Sequence, residues 1–127
     1  MEIVDRCRLN DYWQEGIANE QVCQLFDTQL KTWALAREHY EQLSSVVVET
    51  FATDECDVDV QFNPARIVST SAKVDPETLK RRPCFLCEVN RPEEQSSLPM
   101  LKKYHLLLNP NPILPKHFTI PLRYHHD

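Results

Sequence analysis

Between Val22 and Leu43 the apolar residues Val22, Phe26, Leu30, Trp33, Ala36, Tyr40 and Leu43 recur at steps of three and four, which sets them along one face of a helix. Gln24, Asp27, Lys31, Arg37, Glu38 and Gln42 fill the other face, and Asn19 stands where an N-cap belongs, so the pattern predicts a helix packed on a sheet. Beyond Leu43 the chain turns β-branched and alternating. SSVVVETF, DVDVQFN after the acidic turn Thr53-Asp54-Glu55, and RIVSTSA all predict strands joined antiparallel through short turns. In VDPETLKRRP, Pro76 starts a short helix or turn that Pro83 ends. NRPEEQSSLPML predicts a polar loop, and KYHLLLN and HFTIPLRY predict two last strands around the proline-punctuated PNPILPK.

These elements amount to an α+β fold, an antiparallel sheet with an N-terminal helix. It forms a single domain over residues 1–127, with a helical segment at 1–43 and a sheet carrying a CxxC turn at 44–127. LRYHHD stops directly after a strand with nothing to cover the sheet, so the chain reads as the amino-terminal part of a longer one.

Composition changes this picture only by exclusion. With 42% hydrophobic and 26% charged residues the chain is globular, and a formal charge of −5 argues against a generic grip on nucleic acid or anionic membrane. Gly16 is the one glycine, which excludes the glycine-rich phosphate loop and the GxGxxG dinucleotide turn. No apolar run approaches the roughly 20 residues that span a bilayer, and MEIVDRCRLNDYW lacks a secretory core, so a cytoplasmic protein is expected. Five cysteines without a regular framework read as reduced thiols rather than disulfides.

Cys84-Phe85-Leu86-Cys87 carries the clearest chemistry, because two thiolates three apart on a tight turn can face one tetrahedral zinc ion. A redox pair or two inert buried thiols are the alternatives. Cys7, Cys23 and Cys56 are isolated and read as structural or surface residues. A third ligand would come from His125 or His126 at the end of the last strand, and a fourth from missing sequence, water or His117. His39 and His105 read as ordinary surface residues. Lys80-Arg81-Arg82 and Lys102-Lys103-Tyr104 could meet phosphate but read first as solvated charge.

LLLNPNPILPKHFTIPLRYHH resembles the strand, proline turn, strand signature of the histidine-triad superfamily. CFLC with the preceding QFNPARIVSTSAKVD is similar to the amino-terminal half of its galactose-1-phosphate uridylyltransferase branch, which includes diadenosine tetraphosphate phosphorylase and GDP-L-galactose phosphorylase. The likeness covers Asp57 to Asp127 and implies half of a histidine-triad-like nucleotidyltransferase fold. It also implies structural zinc on Cys84, Cys87 and His125, with a fourth ligand beyond residue 127. Asn109 would meet a ribose, Phe85, Leu86 and Pro110 would wall a base, and Lys73, at inexact spacing, would stand for a phosphate-contacting arginine.

The superfamily's catalytic H-x-H motif is absent, so no catalytic residue is assigned; His117 has Thr119 two positions on and reads as structural. The expected function is thus the amino-terminal part of a nucleotidyltransferase or nucleoside-polyphosphate phosphorylase. It would act on a nucleotide, nucleotide sugar or dinucleotide through a nucleotidyl-histidine intermediate, the chain alone being inactive. The expected partners include neither nucleic acid nor membrane, and a homodimer stays open. The rival is a zinc-stapled module whose proline turn docks a protein, without catalysis.

Overall fold

The computed structural model describes residues 18–126, so Cys7 and Gly16 lie outside the described residues. The predicted single helix is two, α1 (Ala18–Thr32) and α2 (Ala34–Gln42), broken at Trp33, whose backbone is extended. Neither glycine nor proline makes the break. Trp33 is buried with Phe26, Ala36 and Leu108, and Arg37 reaches back from α2 so that its guanidinium donates to the carbonyls of Leu30 and Lys31. The last carbonyls of α1 are thereby capped by the next helix. Asn19 lies inside α1 rather than at its cap.

β1 (Val47–Ala52) and β2 (Asp57–Phe62) form an antiparallel hairpin that stands as a sheet of its own. Its register pairs Val47 with Phe62, Glu49 with Val60 and Phe51 with Val58, which gathers the large apolar side chains on one face. Thr50 donates to Asp59 on the other face, at 2.6 Å.

RIVSTSA is helical, not a strand. Asn63 accepts from the Ala65 N–H and Pro64 presets the following backbone, so a 3-10 turn (Pro64–Arg66) runs into α3 (Ile67–Thr70) against the β propensity of the sequence. α4 (Pro76–Arg81) starts as expected, with Asp75 accepting from the Thr78 N–H. The second sheet has the order β3 (Ser97–Met100), β4 (Tyr104–Leu108), β5 (Phe118–Thr119), all antiparallel.

β3 occupies part of the segment expected to be a loop. Pro99 hid it, yet β3 is an edge strand, where a missing N–H is tolerated. β5 is shorter than expected because Pro121 has no donor. The chain beyond it stays beside β4 through an isolated bridge between Tyr104 and Leu122, with His105 N–H bonded to Pro121 O and Arg123 N–H to Lys103 O.

α1 covers the three-stranded sheet. Leu25 packs with Leu98 and Leu106, Phe26 and Trp33 pack with Leu108, and Phe118 touches both groups. The Phe26 ring meets Tyr40 edge-on at 5.2 Å and Phe118 at 6.3 Å between centroids. Gln29 is the polar member of this interface. It is fully buried, donates to Glu94 O at 2.8 Å and accepts from Ser96 N at 3.0 Å, tying α1 to the chain entering β3. Gln29→Ala leaves a cavity and two unpaired backbone groups and is expected to cost about 2–4 kcal/mol. Urea unfolding should show the midpoint fall at unchanged slope, while Glu38→Ala on the exposed face stays within about 0.5 kcal/mol.

Candidate metal centre and adjoining cavity

The turn Cys84–Cys87 is closed by the Cys87 N–H on Cys84 O, and the Asn90 side chain donates to the same carbonyl at 3.0 Å. Asn90 and Arg91 N–H groups both bond to Cys87 O. The backbone that carries both thiols is therefore fixed from each side, as a ligand turn requires. His125 reaches this turn from irregular backbone rather than from a strand, and its Nδ1 lies 3.3 Å from Cys87 Sγ. The ligand atoms of Cys84, Cys87 and His125 all lie within 4.8 Å of one another, close enough to hold one metal ion. Among the described residues no fourth histidine, cysteine or acidic group joins them, and neither His117 nor His126 does, although His126 lines the same groove.

The electrostatics of the pair are asymmetric. The Leu86 N–H bonded to the Cys84 sulfur draws its pKa down to about 7 against a desolvation effect, with His125 and Cys87 adding hydrogen bonds in the same direction. The Cys87 thiol is pushed up, first by its hydrogen bond with Cys84 and then by desolvation and the Cys84 charge, while Arg91 opposes the rise. Cys84 is thus the more readily ionised of the two thiols, and a divalent ion bound here would be held by both sulfurs as thiolates. A donor set of two sulfurs and an imidazole fits such an ion.

Leu86 also lines a second space, a cavity of about 550 Å³. Phe85, Asn109 and Pro110 border it too, so four residues from two distant segments meet around one void, floored by Trp33, Leu107 and Leu108. Lys73 does not line the cavity, although its neighbours Ala72 and Val74 do, and Arg82 does. Asn109 is committed in part: its Oδ1 accepts from the Asn111 N–H at 2.9 Å, and its Nδ2 lies 3.5 Å from Thr119 Oγ1. Lys102 and Lys103 sit in the exposed turn between β3 and β4 and do not border the cavity.

The turn that brings Asn109 and Pro110 to the cavity is held by side chains from α2, β2 and the residue after β2. Tyr40 Oη lies 3.0 Å from Asn109 O and 2.9 Å from His117 O, and accepts from the His117 N–H. His39, expected at the surface, donates through Nδ1 to Pro110 O at 2.6 Å. Asn63 and Gln61 donate to Pro112 O and Ile113 O. His117 accepts from the Ile113 N–H through Nδ1, the structural part expected of it, and burial followed by the Arg66 charge lowers its pKa.

His105, also expected at the surface, is buried because β4 is the central strand, and that burial, with the Arg91 charge, lowers its pKa. Buried Arg91 was not legible in its polar segment either. Cys56 is exposed, and Cys23 is half-buried with Lys116 Nζ 3.9 Å from its sulfur.

The family model described as a domain of unknown function, DUF4922, matches residues 25–127, which include both the ligand cluster and the cavity. No curated protein and no solved structure matches the chain. Among the described residues no helix is long and apolar enough to cross a membrane.

Zinc titration separates the two terminal histidines: His125→Ala should lower affinity by an order of magnitude or more, and His126→Ala should leave it nearly unchanged, as read by competition with a chromophoric chelator. Tyr40 gives a pH signature. Burial raises its pKa to about 12 against the lowering effect of the His117 backbone bond, so the folded state holds its proton more tightly than the ordinary value of 10.0. Its contribution is complete below pH 10 and is lost as pH rises from about 10 to about 12. Tyr40→Phe should lower stability at neutral pH by about 1–2 kcal/mol and flatten that alkaline decline in urea titrations.

Proposed function

The chain belongs to the DUF4922 family, and we propose that it is a zinc-containing, nucleotide-binding part of a nucleotidyltransferase or nucleoside-polyphosphate phosphorylase. The observation that carries this reading is the meeting of Phe85, Leu86, Asn109 and Pro110 around one cavity. A resemblance in two separate stretches of sequence implied those four as base and ribose contacts. A void of about 550 Å³ falls within the range of small-molecule sites, and its mix of apolar wall and a few amides is what a nucleoside needs. Phe85 is exposed at the mouth and offers a ring face for stacking, while the second lone pair of Asn109 Oδ1 is directed by its turn.

Zinc on Cys84, Cys87 and His125 would supply a cross-link between the CxxC turn and the chain after β5. In that role the ion is structural: it fixes the wall residues Phe85 and Leu86 and takes no part in transfer. The transfer itself would use a histidine nucleophile, which displaces a leaving group from phosphorus and is then relieved of the nucleotidyl group by the acceptor. The H-x-H motif for that step does not occur in this sequence, so the residues here bind and orient only.

The rigid proline turn loses little entropy on binding, but without the phosphate and catalytic contacts the affinity should be near millimolar, about −4 kcal/mol. Titration of the zinc-loaded chain with uridine, guanosine and adenosine nucleotides, followed by backbone amide shifts, should move Phe85, Leu86 and Asn109 to Asn111. No movement there at several millimolar nucleotide would sink the reading and favour a zinc-stapled binding module.

A further inference from the structure

Resting on the nucleotide reading of the cavity, we propose that Arg82 is its anion-recognising residue, so that the phosphate of the bound ligand lies at the Arg82 end and the base at the Phe85 wall. Among the residues that line the cavity Arg82 is the one that bears a charge; no carboxylate is present to neutralise it. Gln95 and Asn109 give only neutral groups, and the Gln95 amide is already spent on Leu108 O at 3.1 Å. The chain as a whole is negative, at −5, so long-range attraction does not bring an anion here; a local cation must capture it.

The backbone of Arg82 suits this task. It caps α4, its N–H bonds to Thr78 O, and the following Pro83 confines it to the extended conformation that it adopts. The root of the side chain is thus fixed, two residues from the first metal ligand, and the residue is exposed while lining the cavity. A planar guanidinium grips two phosphate oxygens at once, a geometry that an ammonium cannot reproduce. Lys73, assigned this part by resemblance, is flanked by two residues that line the cavity and does not line it itself.

The test uses the full zinc-loaded chain and amide-shift titrations with uridine, adenosine and guanosine, their 5′-monophosphates, and inorganic phosphate. Wild type should bind a monophosphate roughly tenfold more tightly than its nucleoside, equivalent to about 1.4 kcal/mol. Arg82→Gln should erase that preference with nucleoside affinity and zinc content unchanged, Arg82→Lys should restore part of it, and Lys73→Gln should keep it whole. Retention of the preference in Arg82→Gln, or equal binding of nucleoside and monophosphate by wild type, overturns the assignment while nucleotide binding stands. Shifts with inorganic phosphate that vanish in Arg82→Gln, without any response to nucleosides, leave the anion assignment standing and remove the nucleotide reading. Silence toward every probe removes both.

Discussion

A turn built of prolines has few N–H groups of its own to spend, and the fold is arranged around that shortage. Residues 109–117 carry Pro110, Pro112 and Pro115, so the segment cannot be held as a strand or helix would hold it. Its N–H groups bond mostly within the turn, at Asn109, Asn111 and Ile113, and its carbonyls tie it to the rest of the fold. Tyr40 serves Asn109 and His117, His39 serves Pro110, Asn63 serves Pro112 and Gln61 serves Ile113. Those four side chains come from α2, β2 and the residue just after β2, so one turn draws the helical layer and the hairpin onto the three-stranded sheet. Without them the carbonyls of Pro110 and Pro112 would lose the side-chain donors that hold them, and Asn109 and Pro110 would be less firmly placed beside the cavity.

β4 supplies the other half of the framework. Leu106, Leu107 and Leu108 are all buried, as expected of a strand covered on both faces. Leu106 and Leu108 meet the helices, while Leu107 joins Leu108 in the floor of the cavity. The hairpin is the contrast. Val47, Phe51, Val58, Val60 and Phe62 share one face and are all exposed among the described residues, so the hairpin is anchored by its end and not by its face.

What could be read from sequence divides along physical lines. Helical seams and the hairpin were legible because their periods, near 3.6 and 2, reflect which face is buried. The CxxC turn was legible because its geometry is local. His125 was legible only as one of a pair with His126, since it lies 38 residues from Cys87 and arrives on irregular backbone; the family likeness, not strand alternation, chose between them. Ile67 to Thr70 misled because β-branched residues obey the Asn63-Pro64 cap rather than their own propensity. β3 was concealed by Pro99, harmless at a sheet edge. Gln29 lies between Phe26 and Trp33 on the apolar seam, and a polar residue in that position was the available sign of a buried amide with backbone partners.

Leu86 belongs to two walls at once, that of the metal groove and that of the cavity. Were both spaces filled, any coupling carried through Leu86 would be even-handed by thermodynamic linkage. If an ion tightens a cavity ligand by some factor, that ligand must tighten the ion by the same factor. Zinc in this protein would then be more than a staple. With positive coupling its hold would register whether the neighbouring cavity is filled, and removing the metal would loosen the ligand.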